Sequence, residues 1–347
     1  MGLATHLQLP DLVALQLQGW SDEALATAQI EGEILQLNSV RASAARRLGL
    51  ADGKKNKRDA RAEATLNLLE GALQNSHRAL SHQTLFDWQA ALFPTGRSGT
   101  QKILTGAYRT HSEPMQIVTP RMGKPDLVHY QAPASEDVKG HMDLFIQWFN
   151  SSLGKQDGLV RAALAHLWFE TIHPFEDGNG RIGRALVEMA LAQDLQTEQR
   201  LWSLSQQIWH ERSAYYEQLQ SATSSANMDV TPWVQWFVAC IHKAADSSWG
   251  QMQSAMRKTR FWADLRELHL SLTPSQSKAI NKLYDAGPDG FSGGLSTEKY
   301  VNLCGVSRAT AYRELTALCE AGLLSQTGTG RGTRYQLHHS QMLGLAL

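Results

Sequence analysis

The chain has 347 residues, enough for two or three domains, and is 42% hydrophobic and 19% charged, as ordinary globular proteins are. Its formal net charge is zero, so global charge gives no pull toward a polyanion. Three cysteines without metal-ligand spacing (Cys240, Cys304, Cys319), an N-terminus with no basic-then-apolar signal, and no apolar run of the roughly 18 residues a membrane span needs set the expectation of a cytoplasmic protein with no membrane partner.

The first 50 residues read as helical. Ser21, followed by Asp22 and Glu23, has the form of a helix start, with a capping oxygen and then acids at the positive end of the dipole. From there the helix is expected to run past Gly32 toward Leu48. Between Arg41 and Arg61 stand eight Lys/Arg against two acids, a solvated loop or a nucleic-acid contact. Ser81 caps a helix that Pro94 stops. Between Pro114 and Pro133 two β-prone runs, Met115–Val118 and Leu127–Tyr130, flank turn-forming residues and predict a hairpin. Its unpaired edge, at Gln116, Ile117 and Val118, is a place for a strand from another chain. Ser135 opens a helix to about Asn150. Others follow at about 159–171, 180–195, 210–222, 230–249 and 251–270.

The last 75 residues form a different unit. Pro274 begins a helix to 285, a second covers 296–303, and Ser307 caps a third, before a glycine-tipped hairpin over 323–337. Helix, turn, helix and a two-stranded wing make a winged helix. Ser307, Arg308, Thr310, Tyr312 and Arg313 start its recognition helix, and Arg331 and Arg334 lie in the wing, the arrangement of a DNA-reading surface. Seven Lys/Arg against five acids over 273–339 is weakly basic for that role, and winged helices also dock proteins or dimerise, so DNA contact, protein contact and a homodimer all stand.

Residues 173–184, His-Pro-Phe-Glu-Asp-Gly-Asn-Gly-Arg-Ile-Gly-Arg, carry the chemistry. They join two helices and feed the N-terminus of the second, where backbone amides lack partners and the dipole favours an anion. Gly178 and Gly180 let the backbone approach phosphate closely, Asn179 has an amide to donate, and Asp177 is a hard oxygen ligand suited to Mg²⁺. His173 is a general base near neutral pH. Arg181 and Arg184, three apart, bring convergent positive charge. Three other readings compete: a polar capped turn, a metal site of His166, Glu170 and His173 at i, i+4 and i+7, and a lone core histidine, which fits His166 better than His173.

The stretch resembles the signature of the Fic family, His-Pro-Phe-x-(Asp/Glu)-Gly-Asn-Gly-Arg-x-x-Arg, at all nine specified positions. The resemblance implies a mainly α fold, a helical core with a β-hairpin flap, and transfer of AMP from ATP to a hydroxyl side chain of a target protein, possible self-modification included. It implies ATP and Mg²⁺, with His173 as base, Phe175 beneath the loop and Asp177 on the metal. Gly178, Asn179 and Gly180 would form the anion cradle, with Arg181 and Arg184 on the outer phosphates. Gly180 stands where the related Doc kinases carry Lys, which favours nucleotidyl transfer over phosphorylation. Tyr215 and Tyr216 fall where related chains contact adenine; helical Tyr pairs are also common core. The hairpin matches the family flap that registers the target segment.

Thr27-Ala-Gln-Ile-Glu31-Gly32 resembles the family's inhibitory pattern, (Ser/Thr)-x-x-x-Glu-(Gly/Asn), which implies that Glu31 pairs with Arg184 and withholds it from the γ-phosphate. The expected organisation is a regulatory segment over 1–78, a catalytic core over 79–265 and a winged helix over 266–347. The rival from another class is a winged-helix DNA-binding regulator whose Fic domain only senses nucleotide.

Overall fold

A computed structural model describes residues 9–50, 59–112, 115–119, 127–199, 201–224, 229–286, 291 and 293–338. Helix α1 (Leu9–Ile30) begins well before Ser21 and stops short of Gly32, whose φ of 77° lies in the left-handed region that glycine adopts freely. Ser21 is therefore no cap. Its buried hydroxyl donates back to the Leu17 carbonyl at 2.7 Å, the bond a mid-helix serine makes to residue i−4. The expected continuation past Gly32 is a separate helix, α2 (Leu37–Arg47). The basic run Lys54–Arg58 lies outside the described residues.

Helix α3 (Ala60–Gln74) is capped by Asp59, and α4 (His82–Leu92) by Ser81, whose hydroxyl accepts from the Thr84 amide at 3.1 Å. A short antiparallel pair, β1 (Arg97–Ser98) and β2 (Gln101–Lys102), leads to the expected hairpin of β3 (Gln116–Thr119) and β4 (Leu127–Gln131). These strands pair antiparallel, Gln116 opposite Gln131 and Thr119 opposite Leu127, with a bulge between Ile117 and Val118. The tip and Pro114 lie outside the described residues, as do the side chains of Gln116, Ile117 and Val118.

Helix α5 (Ser135–Ser151) starts where expected, but Ser135 does not cap it. Its hydroxyl instead donates to the His111 carbonyl at 2.6 Å and accepts from Arg109 at 2.8 Å. Helices α6 (Gly158–Ile172) and α7 (Asn179–Leu195) form the centre. Nearly all of α7 is buried, and Phe145, Phe149, Phe169, Phe175, Ile182 and Leu186 belong to the core around it. Next come α8 (Leu204–His210) and α9 (Arg212–Ser224). One helix, α10 (Thr231–Glu267), replaces the two expected there, because Gly250 weakens a helix without ending it. The polar residues that interrupt α6 are all buried: Arg161 bonds the Phe149 carbonyl, His166 the Tyr215 hydroxyl, and Glu170 faces His173.

Residues Gln16–Asp246 make one compact unit, and the described residues up to Leu15 and from Ser247 onward build another. The second holds the winged helix. In it, α11 (Pro274–Asp285) opens with a capping box between Thr273 and Gln276, α12 (Thr297–Cys304) ends at left-handed Gly305, and α13 (Arg308–Glu320) is capped by Ser307. Strands β5 (Leu324–Thr327) and β6 (Arg334–Leu337) form the wing. Its own core gathers Ile280, Leu295, Tyr300, Leu315, Leu324 and Tyr335. No helix of the described residues is long and apolar enough to cross a membrane.

Candidate functional site

The loop between α6 and α7 is held by its own backbone and by one distant arginine. His173 ends α6 in the left-handed conformation, φ 48°, its amide on the Phe169 carbonyl at 2.9 Å. That strained position is a rare one for a residue with a side chain. Arg109, 1% exposed, fixes it from outside: its guanidinium donates to the His173 carbonyl at 2.9 Å and to the Pro133 carbonyl at 2.6 Å, and its amide to the Pro174 carbonyl at 2.9 Å. Phe175 is fully buried against Phe86, Tyr108 and Phe169. Sequence reasoning missed Arg109, since no local pattern marks a residue whose partners lie 64 positions away.

Asn179 acts within the loop. Its side-chain oxygen accepts from the Phe175 amide at 2.9 Å, and its side-chain nitrogen donates to the Phe175 carbonyl at 2.8 Å. Buried and bonded at both ends, this amide shapes the cradle, and the second N–H of its nitrogen is not used by these bonds. Gly178 takes φ 90° as the residue before α7, and a Cβ there would meet the Phe93 ring at 2.9 Å. A Cβ on Gly180 would collide with the carboxylate of Glu31. The N-terminus of α7 is thus already covered by an anionic group from the end of α1.

The two arginines are both buried and both paired. Arg184, 1% exposed, donates to Glu31 at 2.7 Å and to the hydroxyl and carbonyl of Thr27 at 2.7 and 3.1 Å. Burial pulls its guanidinium down, but the charge and hydrogen bond of Glu31, with Tyr215 and Glu170, together outweigh that and hold it above the ordinary value. Arg181 pairs with Glu33 at 2.9 Å, lies 3.5 Å from Asp177 and stacks over the Phe93 ring. Glu33 was not foreseen; it stands just beyond the inhibitory pattern, and its partner is 148 residues away. Arg184 Nη1 and Arg181 Nε have no hydrogen-bond partner among the described residues.

Asp177 accepts from the Ser98 hydroxyl and from the Gly178 amide. Its side chain is 35% exposed and keeps lone pairs open to solvent, which suits a magnesium ion that binds one carboxylate plus phosphate oxygens. Among the described residues no group of three or more His, Cys, Asp or Glu is placed to hold a metal ion. The alternative site of His166, Glu170 and His173 is not among such groups; His166 instead bonds Tyr215 through Nε2 at 3.0 Å and stacks its ring on Trp233.

Tyr215 is core: 3% exposed, bonded to His166 and packed on Trp233, with burial pushing its hydroxyl well above the usual range. It offers no surface to a nucleotide. Tyr216 is half-buried beside α1, its hydroxyl 3.4 Å from the Ile30 carbonyl. A cavity of about 510 Å³ beside Thr171 and Ile172 is lined by Tyr130, Trp148, Trp168 and Thr223, an apolar setting for a planar or hydrophobic group. Ser307, Arg308 and Arg313 are exposed at the start of α13, and the Arg331 side chain lies outside the described residues.

Residues 79–191 match the Fic/DOC family, residues 1–50 a domain of unknown function (DUF4172), and residues 292–338 the C-terminal domain of the DIP2311-like transcriptional regulators. The protein adenylyltransferase Fic of Nematostella vectensis is 27% identical over 143 residues, 40% of this chain and 30% of that protein. The protein of that name from Drosophila virilis is 29% identical over 165 residues, 46% of this chain and 32% of its own. The matched stretch thus spans about a third of the length of these relatives. A Fic family protein from Desulfovibrio desulfuricans shares the fold with a TM-score of 0.51 at 21% identity, over 94% of this chain and 89% of that one. A Fic domain containing signaling protein from Bacteroides thetaiotaomicron does so with 0.53 at 19% identity, over 72% and 91%.

Proposed function

We propose that this chain, which carries a Fic/DOC-family domain at residues 79–191, is a protein adenylyltransferase held in check by its own N-terminal segment. It transfers AMP from ATP to a Ser, Thr or Tyr hydroxyl of a target protein, itself included, and releases pyrophosphate. The observation that carries the reading is the Glu31 carboxylate. It lies over Gly180 at the N-terminus of α7 and on Arg184, a place that suits a phosphate. A carboxylate from the chain itself at an anion site is the form a built-in competitor takes. The name of the curated relatives supports AMP as the group transferred.

In the active state Glu31 and Glu33 withdraw, and Arg184 and Arg181 hold the outer phosphates. His173 takes the proton of the target hydroxyl, whose oxygen attacks the innermost phosphorus as the bond to pyrophosphate breaks in line. Such a step needs positioning and neutralised charge more than covalent help, and the base adds about 10²–10⁴-fold. Magnesium, bound at Asp177, would offset the charge on the leaving phosphates. The β3–β4 hairpin registers the target by strand addition.

The test uses Glu31→Gly protein with ATP labelled at either the α or the γ phosphorus. Protein should retain the α label and not the γ label. Retention of γ label would mean phosphorylation and would overturn the reading. Nucleotide binding without transfer of either label would favour a DNA-binding regulator that senses nucleotide. That second reading draws on the match to a transcriptional regulator's C-terminal domain and on exposed Arg308 and Arg313. A gel shift at two salt concentrations tests it.

A further inference from the structure

Glu170 has no role in the reading above, yet its carboxylate is only 3% exposed beside the proposed base. Its Oε2 lies 3.5 Å from His173 Nδ1. Oε1 has no hydrogen-bond partner among the described residues, and neither has His173 Nδ1. A buried carboxylate without strong partners is costly unless the site uses it. The surroundings make room for it: a Cβ on Gly183 would sit 2.8 Å from Glu170 Oε1 and 3.1 Å from His166 Nδ1. The gap to His173 is a few tenths of an ångström beyond a hydrogen bond, and such bonds tighten when substrate binds.

We propose, given the transferase reading, that Glu170 is a positioning residue: it accepts from Nδ1–H of His173 and so leaves Nε2 as the unprotonated nitrogen that receives the target's proton. The spacing supports this. Residues three apart at the end of α6 share a face, and the left-handed turn at His173 swings the imidazole back over that face. During the step the hydroxyl proton moves to Nε2, the new O–P bond forms, the bond to pyrophosphate breaks, and Glu170 stays ionised against the imidazolium. The charged and titratable groups around it are consistent with an ionised Glu170: burial pushes its carboxyl up, but His173, His166 and Arg184 outweigh that and hold it below the usual range, while Tyr215 faces it from α9.

In the Glu31→Gly background, Glu170→Gln should lower kcat by about 100-fold or more while KM for ATP stays within about twofold. A glutamine donates to Nδ1 and imposes the wrong tautomer. Glutamine keeps the size of the side chain, so a merely structural Glu170 predicts near-parental kcat in Glu170→Gln and loss only in Glu170→Ala; that pattern overturns the proposal. A second measurement needs no variant of Glu170. Long-range ¹H–¹⁵N spectra of the native protein with labelled histidines, with His173→Ala to assign the ring, should show Nδ1–H and a bare Nε2, and an Nε2–H tautomer overturns it. If no variant transfers AMP, the transferase reading falls, and the tautomer still decides the role of Glu170.

Discussion

Helices α7 and α13 both carry arginine at the end where the helix dipole repels it. In α7, Arg181 and Arg184 are buried and each meets an acid from the segment after α1, Glu33 and Glu31. In α13, Arg308 and Arg313 stand in solvent with no ion-pair partner among the described residues. The difference lies in what each arrangement costs. An exposed arginine is screened by water and costs little to keep, so its presence says little about what it meets. A buried one is costly unless it is fully partnered, and here both arginines take acids from a separate stretch of chain, which under the transferase reading a phosphate replaces. Under the transferase reading the first arrangement implies an anionic ligand; the second leaves the partner open.

The hardest test of that contrast is His173→Ala. If the buried charges around α7 exist for nucleotide chemistry, the variant loses AMP transfer by about 10²–10⁴-fold while still binding ATP. Near-normal incorporation would reduce the α7 cluster to a structural ion-pair network. Glu31→Gly comes next and acts in two directions. Freed from a charge-assisted bond worth about 1.5–3 kcal/mol, Arg184 should favour productive ATP binding, raising transfer by roughly 10–100-fold. The same variant should lose apo stability by about 1–3 kcal/mol, less than the 3–5 of a fully buried pair because the Glu31 side chain is 30% exposed. Thermal unfolding should then show a lower Tm without nucleotide and a larger rise with ATP. Unchanged activity and an unchanged Tm together would remove the brake.

How far each region was legible follows from the reach of its contacts. The 173–184 loop is read from sequence because its glycines, its asparagine and the helix start that it feeds act over four or five residues. The caps at Ser81 and Ser307 are local too, and both hold. Ser21 misled because a serine before two acids suits a helix start and equally suits a helix interior, where its hydroxyl returns to Leu17. Tyr215 sits next to Tyr216 in sequence, but α9 turns one onto His166 and the other toward Ile30. Arg109 and Glu33 carry no local sign at all. Each gains its meaning from a residue far along the chain.

Glu33→Ala sharpens the contrast further. Its pair with Arg181 is partly open to water, the Glu33 side chain being 28% exposed, so the gain in ATP affinity should be a few-fold at most, about 1 kcal/mol or less. Added to Glu31→Gly it should give a further rise, since each acid holds a different arginine. No rise in the double variant would mean that Arg181 needs no release.

The smallest effect is expected on the other side of the comparison. Should α13 meet DNA, Arg308→Ala removes one phosphate contact, weakens binding alike on all sequences and lowers the slope of log K against log salt by about one. AMP transfer should not change. Because the C-terminal residues 273–339 carry only seven Lys/Arg against five acids, total affinity would depend on a few such contacts, and losing one should be measurable at low salt. A native protein that shifts no duplex even at low salt would leave α13 a protein-facing helix. Exposed Tyr312, between the two arginines, would then be the side chain to substitute in a pull-down, since an aromatic at the centre of a contact contributes more than the charges at its rim.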